Sequence, residues 1–138
     1  MKAAIEYNGQ MPFIGISERG HVTYYDTSEK HGGTGKHATP MDVLLEAVGA
    51  CSVFDVVGIL TKKRKTITKL NIEIDSVRAD EYPKVFTSIH LRYKMQSPDV
   101  SQDDLEKAVQ LSMDKYCSVS ATLKKSGCKV TWETEIEN

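Results

Sequence analysis

The sequence predicts an α+β fold in which antiparallel strands surround a long buried central helix. Hydrophobicity of period two recurs near both ends and in the middle of the chain, and one stretch, residues 41–60, is apolar almost throughout. The elements follow the order strands, long helix, strands, helix pair, strand, which is not a βαβ repeat.

The first strands are marked by Ala3, Ile5 and Tyr7 alternating with polar neighbours and by turn signals at Asn8-Gly9 and Arg19-Gly20. They predict an antiparallel meander over residues 2–7, 13–17 and 21–26. Residues 27–38 carry Gly32, Gly33 and Gly35 among Lys30, His31, Lys36 and His37, with no apolar period, and predict a mobile loop. A glycine-rich run before a helix invites a phosphate-binding reading, but a Walker A loop needs glycine where Lys30 stands and Ser or Thr where His37 stands. A plain loop is the better reading.

Thr39-Pro40-Met41-Asp42 is a helix start: Thr39 can cap, Pro40 sits where its missing N–H costs nothing, and Asp42 completes a capping box. Only Asp42, Glu46 and Asp55 are charged between residues 41 and 60, so this helix is apolar all round and should be buried on most faces. A helix of about 20 residues is roughly 30 Å long, and one small protomer has few layers to wrap it. A homodimer is therefore expected. The basic run Lys62-Lys63-Arg64-Lys65 suits a solvated helix C-terminus, where cations oppose the helix dipole.

Beyond it the period changes to two. Leu70, Ile72 and Ile74 face one way, and Val85, Ile89, Leu91, Tyr93 and Met95 line one face of the next strand, opposite Ser88, His90, Arg92 and Lys94. The pair reads as a hairpin that is wet on one side. Ser101 to Asp104 forms a second capping box, and Leu105, Ala108, Val109, Ser112 and Tyr116 then recur at helical spacing. Ser118 or Ser120 is expected to cap a short terminal helix that Gly127 stops, and Val130, Trp132, Thr134 and Ile136 face inward on a final strand.

The 138 residues, 40% hydrophobic and 27% charged, suit a single domain, 1–138, and argue against disorder. A net charge of −1 lacks the basic excess that a nucleic-acid partner requires. The N-terminus has no unbroken apolar h-region, and Glu46 and Asp55 interrupt the longest apolar segment, so neither export nor a membrane span is expected. The expected location is the cytoplasm. Three cysteines, Cys51, Cys117 and Cys128, with no CxxC pair, fit neither a disulfide framework nor a zinc site and should be reduced thiols.

From periodicity alone Cys51 reads as a small buried hydrophobe within the apolar helix. Cys117 stands where one helix ends and another begins, so the free N–H groups of the second are available to a thiolate. The two are 66 residues apart, and no rule of local sequence brings them together.

The segment from Pro40 to Cys51, followed by Asp55-Val56-Val57, resembles the first cysteine motif of the OsmC/Ohr family (osmotically induced protein C and organic hydroperoxide resistance proteins). The segment Lys115-Tyr116-Cys117-Ser118-Val119-Ser120-Ala121-Thr122-Leu123 resembles the second. The match spans essentially the whole chain. It implies an OsmC-like fold, an intertwined homodimer with sites at the subunit interface, and a thiol peroxidase needing no cofactor and no metal. In that reading Cys51 attacks a hydroperoxide, Cys117 resolves the sulfenic acid to an intramolecular disulfide, and an external dithiol reductant restores both thiols. Cys128 is a passive thiol.

The departures from the pattern bear on the chemistry. Met41 stands where the Ohr branch has a catalytic Glu, and Asp42, next along, either substitutes for it or only caps the helix. The family's activating Arg precedes its third strand, where Arg19 is a candidate by neighbourhood, an exposed turn arginine being the alternative. Asp55, four residues beyond Cys51, disfavours a thiolate there unless a cation such as Arg19 compensates. Ser118 replaces the Pro of many members. These features resemble the YhfA-like branch most. The alternative function is a non-enzymatic dimeric module that binds an apolar ligand or partner in the interface groove.

Overall fold

A computed structural model describes residues 1–138. Residue contacts group the chain into two compact units, Met1–Leu45 and Glu46–Asn138. The α+β class stands, with two three-stranded sheets and three α-helices.

In the first unit, β1 (Ala3–Glu6), β2 (Phe13–Ser17) and β3 (Val22–Tyr25) form the expected antiparallel meander in the order β1-β2-β3. Gly15, at its centre, pairs with Ile5 on one side and Thr23 on the other. A Cβ there would lie 2.8 Å from the Tyr25 ring, so the glycine makes room for the aromatic.

The loop that follows is pinned rather than mobile. Asp26 is 3% exposed, and its carboxylate accepts the backbone N–H of Thr27 at 2.8 Å and of Thr34 at 2.9 Å, as well as the Thr34 hydroxyl. His37 Nδ1 lies 3.5 Å from the same carboxylate, and the Asp26 N–H donates to the Ala38 carbonyl. The Thr34 hydrogen bonds above all hold this carboxyl far below the usual carboxylate range. Gly33 packs so tightly that an added Cβ would be 2.0 Å from the Thr27 carbonyl oxygen. A loop organised around a buried carboxylate carries no hydrophobic period, so pattern reading sees only its polarity.

Helix α1 (Pro40–Lys62) starts with the predicted capping box: the Asp42 N–H donates to Thr39 Oγ1 at 3.1 Å, and the Thr39 N–H donates to Asp42 Oδ2 at 2.9 Å. Within the second unit it buries a single stripe, Val48, Gly49, Ser52, Val56 and Leu60, largely at i, i+4 spacing. Burial on most faces is thus not achieved within the chain, and Phe54 is 80% exposed. By length and composition α1 would suffice to cross a membrane, and 28% of that apolar window is buried within the chain. Gly49 admits Ile74, whose Cδ1 would be 2.8 Å from an added Cβ.

Strands β4 (Lys69–Arg78) and β5 (Phe86–Gln96) form the predicted antiparallel hairpin. A register shift next to Val77 leaves Thr87 without a partner between the Val77–Ser88 and Arg78–Phe86 pairs. This bulge reverses the alternation, so Phe86 is 6% exposed while Val85, expected inward, is 49% exposed. Strand β6 (Lys129–Ile136) joins β5 in parallel, not antiparallel, completing the order β4-β5-β6. The helical connection returns the chain to the end of the sheet where β5 began, and that dictates the direction.

That connection consists of α2 (Gln102–Leu111), one π turn (Ser112–Tyr116) and α3 (Ser118–Lys125). The predicted Ser101–Asp104 capping box opens α2. The wider π turn shifts the phase of the apolar face, so Met113 is buried and Tyr116, expected on that face, is 49% exposed.

Candidate active site

Cys51 and Cys117, both in the second unit, are near enough for one thiol to act on the other. Cys51 lies on α1 and is half-buried, whereas Cys117, at the junction of the π turn and α3, is 3% exposed. The local fold at Cys117 is set from both sides. Its N–H donates to the Ser112 carbonyl at 2.8 Å, the i→i+5 bond of the π turn, and its sulfur is the N-cap of α3, accepting the Ser120 N–H at 3.4 Å. The cap is thus the thiol itself, not Ser118 or Ser120. Sulfur takes the part usually played by a serine or aspartate oxygen.

Burial pushes the Cys117 thiol up. The Ser120 N–H opposes that shift, and the neighbouring Cys51 thiol reinforces it, both by hydrogen bonding and by charge. Two adjacent sulfurs resist both being ionised. All three cysteines are free thiols. Cys128, also buried and raised by desolvation, directs its sulfur to the Lys129 carbonyl at 3.9 Å.

Beside the thiols runs a buried chain of hydroxyls that pattern reading missed. Tyr93 Oη lies 2.6 Å from Ser52 Oγ, Ser52 Oγ lies 3.1 Å from Ser112 Oγ, and Ser112 donates to Asp55 Oδ2 at 2.8 Å. Tyr93, Ser52 and Ser112 are fully buried. Desolvation pushes the Tyr93 phenol far up, and the nearby Cys117 and Asp55 charges add to it, so it is a neutral donor. The one available signal was Ser52 occupying a core position, four residues from Val48 and from Val56. Asp55, read from sequence only as a charge near Cys51, is the acceptor at the end of this chain.

Arg19 and Asp42 belong to the first unit. Arg19 is exposed in the β2–β3 turn, and the Asp42 carboxylate closes the capping box with Thr39. An open groove of ≈ 440 Å³ is lined in part by Phe54, Asp55, Lys62, Leu111 and Tyr116. No group of three or more His, Cys, Asp or Glu side chains is arranged to hold a metal ion.

Residues 33–133 match the profile of the OsmC-like protein family. Protein YhfA of Escherichia coli K12 is 35% identical over 127 residues, which cover 91% of each chain. This chain belongs to the OsmC-like family. The crystal structure of an OsmC-like protein from Mycoplasma pneumoniae shares the fold with a TM-score of 0.82 at 20% identity, covering 99% of this chain and 96% of that one. An organic hydroperoxide resistance protein OsmC from Legionella pneumophila aligns with a TM-score of 0.67 at 12% identity, covering 97% and 95%. Both motifs that carry the OsmC-like resemblance, around Cys51 and around Cys117, fall inside the matched segment.

Proposed function

We propose that the protein is a thiol-dependent peroxidase that reduces organic or inorganic hydroperoxides. The observation that carries the reading is the pairing of a half-buried Cys51 with a buried, capped Cys117 across 66 residues of sequence. Membership of a family that includes organic hydroperoxide resistance proteins supports it.

In the first step the Cys51 thiolate attacks one oxygen of the peroxide, the O–O bond breaks, and the second oxygen leaves as alcohol or water after taking a proton. The sulfur is oxidised by two electrons to a sulfenic acid. Cys117 then attacks that sulfur, an S–S bond replaces the S–O bond, and hydroxide departs as water with the thiol proton. An external dithiol supplies two electrons and two protons to reopen the disulfide. No step uses a metal or an organic cofactor.

Arg19 is assigned the part of compensating cation on the resemblance of its turn, and Asp42 the capping part on its bonds to Thr39. The exposed apolar side chains of α1, above all Phe54, support assembly as a homodimer. Three free thiols suit the reducing cytoplasm. The groove beside Phe54 and Tyr116 favours a second reading, a dimeric module that binds an apolar ligand or partner without chemistry.

Purified protein, cumene hydroperoxide and a dithiol separate the two. The peroxidase consumes peroxide, Cys51→Ser does not, and non-reducing peptide maps contain a Cys51–Cys117 disulfide. Equal, negligible consumption by both proteins ends the enzymatic reading.

A further inference from the structure

Ser112 holds both halves of the thiol pair. Its carbonyl receives the Cys117 N–H, while its hydroxyl bonds Ser52, the residue after Cys51. Each hydroxyl in the chain has a single proton, which fixes its direction. Ser112 donates to Asp55, so Ser52 must donate to Ser112 and Tyr93 to Ser52. An acceptor-only carboxylate at the end therefore selects one arrangement of three buried hydroxyls. Without it the chain can run either way, and Ser112 loses the bond that sets its rotamer.

We propose that Asp55 and Ser112 are positioning residues for the Cys51–Cys117 pair, fixing Ser52 and the π turn so that the two sulfurs face each other and join readily. The inference rests on the redox reading of these cysteines, and neither Asp55 nor Ser112 touches a reacting atom in it. Its measure is the equilibrium with dithiothreitol. The two protein thiols give up two electrons and two protons and form an S–S bond, while the cyclic disulfide of oxidised dithiothreitol breaks and takes up both.

The full-length protein is equilibrated over a range of reduced-to-oxidised dithiothreitol ratios, quenched in acid, alkylated and read by mass spectrometry with peptide mapping. Asp55→Ala is expected to lower the equilibrium constant for the Cys51–Cys117 disulfide about five- to tenfold, as loss of one ordering hydrogen bond would. Asp55→Asn, which keeps an oxygen acceptor for Ser112, should stay within about twofold of the natural protein. That rescue separates positioning from mere loss of charge. Ser112→Ala should match Asp55→Ala, and if it fails to fold, the half-buried Asp55 pair still decides. Equal constants in all the proteins overturn the positioning role and leave the redox couple intact. A natural protein that forms no Cys51–Cys117 disulfide at any ratio removes the redox reading, and this inference with it.

Discussion

The backbone N–H of Ser120 points at the sulfur of Cys117 across 3.4 Å, so a thiol, not a hydroxyl, starts α3. That bond favours the thiolate, yet burial and the Cys51 thiol outweigh it and leave the Cys117 thiol above its ordinary value of 9.0. The sign follows. The thiol form is favoured by the fold, so its contribution to stability is complete below pH 9 and is lost as pH rises through the folded value. In a Cys51→Ser, Cys128→Ser background, alkylation of Cys117 by iodoacetamide should be slow at pH 7 and still rising at pH 9. A rate that saturates below pH 8 would contradict this environment.

Asp104 supplies an acid-side test. Its carboxylate accepts the Ser101 N–H and hydroxyl and faces Lys65 at 3.2 Å, and these bonds lower it from 3.8 to about 2. A depressed carboxyl stabilises the fold above its unfolded value and ceases to do so as pH falls through the folded one. Asp104→Asn should therefore be less stable than the natural protein in urea at pH 6. The gap should close between pH 4 and 2. A gap independent of pH would contradict the assignment.

Gly33 tests the clasp around Asp26. With its Cβ position 2.0 Å from a backbone oxygen and 2.6 Å from Asp26 Oδ1, Gly33→Ala must displace the loop. Overpacking of this kind costs about 1–3 kcal/mol. Urea unfolding should report that loss, whereas Gly58→Ala, with nothing within 4 Å, should be neutral or slightly stabilising through helix propensity. Equal midpoints for the two variants would refute the clasp.

Phe54 tests the proposed dimer. An 80% exposed aromatic on an apolar helix presents surface that a partner subunit would cover. Phe54→Glu should shift sedimentation from dimer to monomer at micromolar concentration while the far-UV circular dichroism is retained. A natural protein that sediments as a monomer would remove the proposal at once.

Element types were legible wherever a local period or cap determined them. The meander, both capping boxes and the β4–β5 hairpin were read from alternation and from Thr39, Asp42, Ser101 and Asp104. Errors arose where the backbone changes phase: the bulge at Thr87 exchanged Val85 for Phe86, and the π turn exchanged Tyr116 for Met113. Neither irregularity has a hydrophobic signature, since each inserts residues without altering composition. The loop around Asp26 was misread for the related reason that carboxylate-to-backbone bonds leave no pattern in hydropathy.

By itself the sequence determined the class of fold, the order of elements, the family and the two cysteines worth watching, because short-range stereochemistry and motif spacing are written along the chain. Only the tertiary structure decided that Cys51 and Cys117 are neighbours, that a sulfur caps α3, and that Tyr93, Ser52, Ser112 and Asp55 form one chain. Those contacts join residues 41 to 66 positions apart or depend on a helix junction, and the pairing of such distant groups is set by how helices and strands pack, not by their neighbours in sequence.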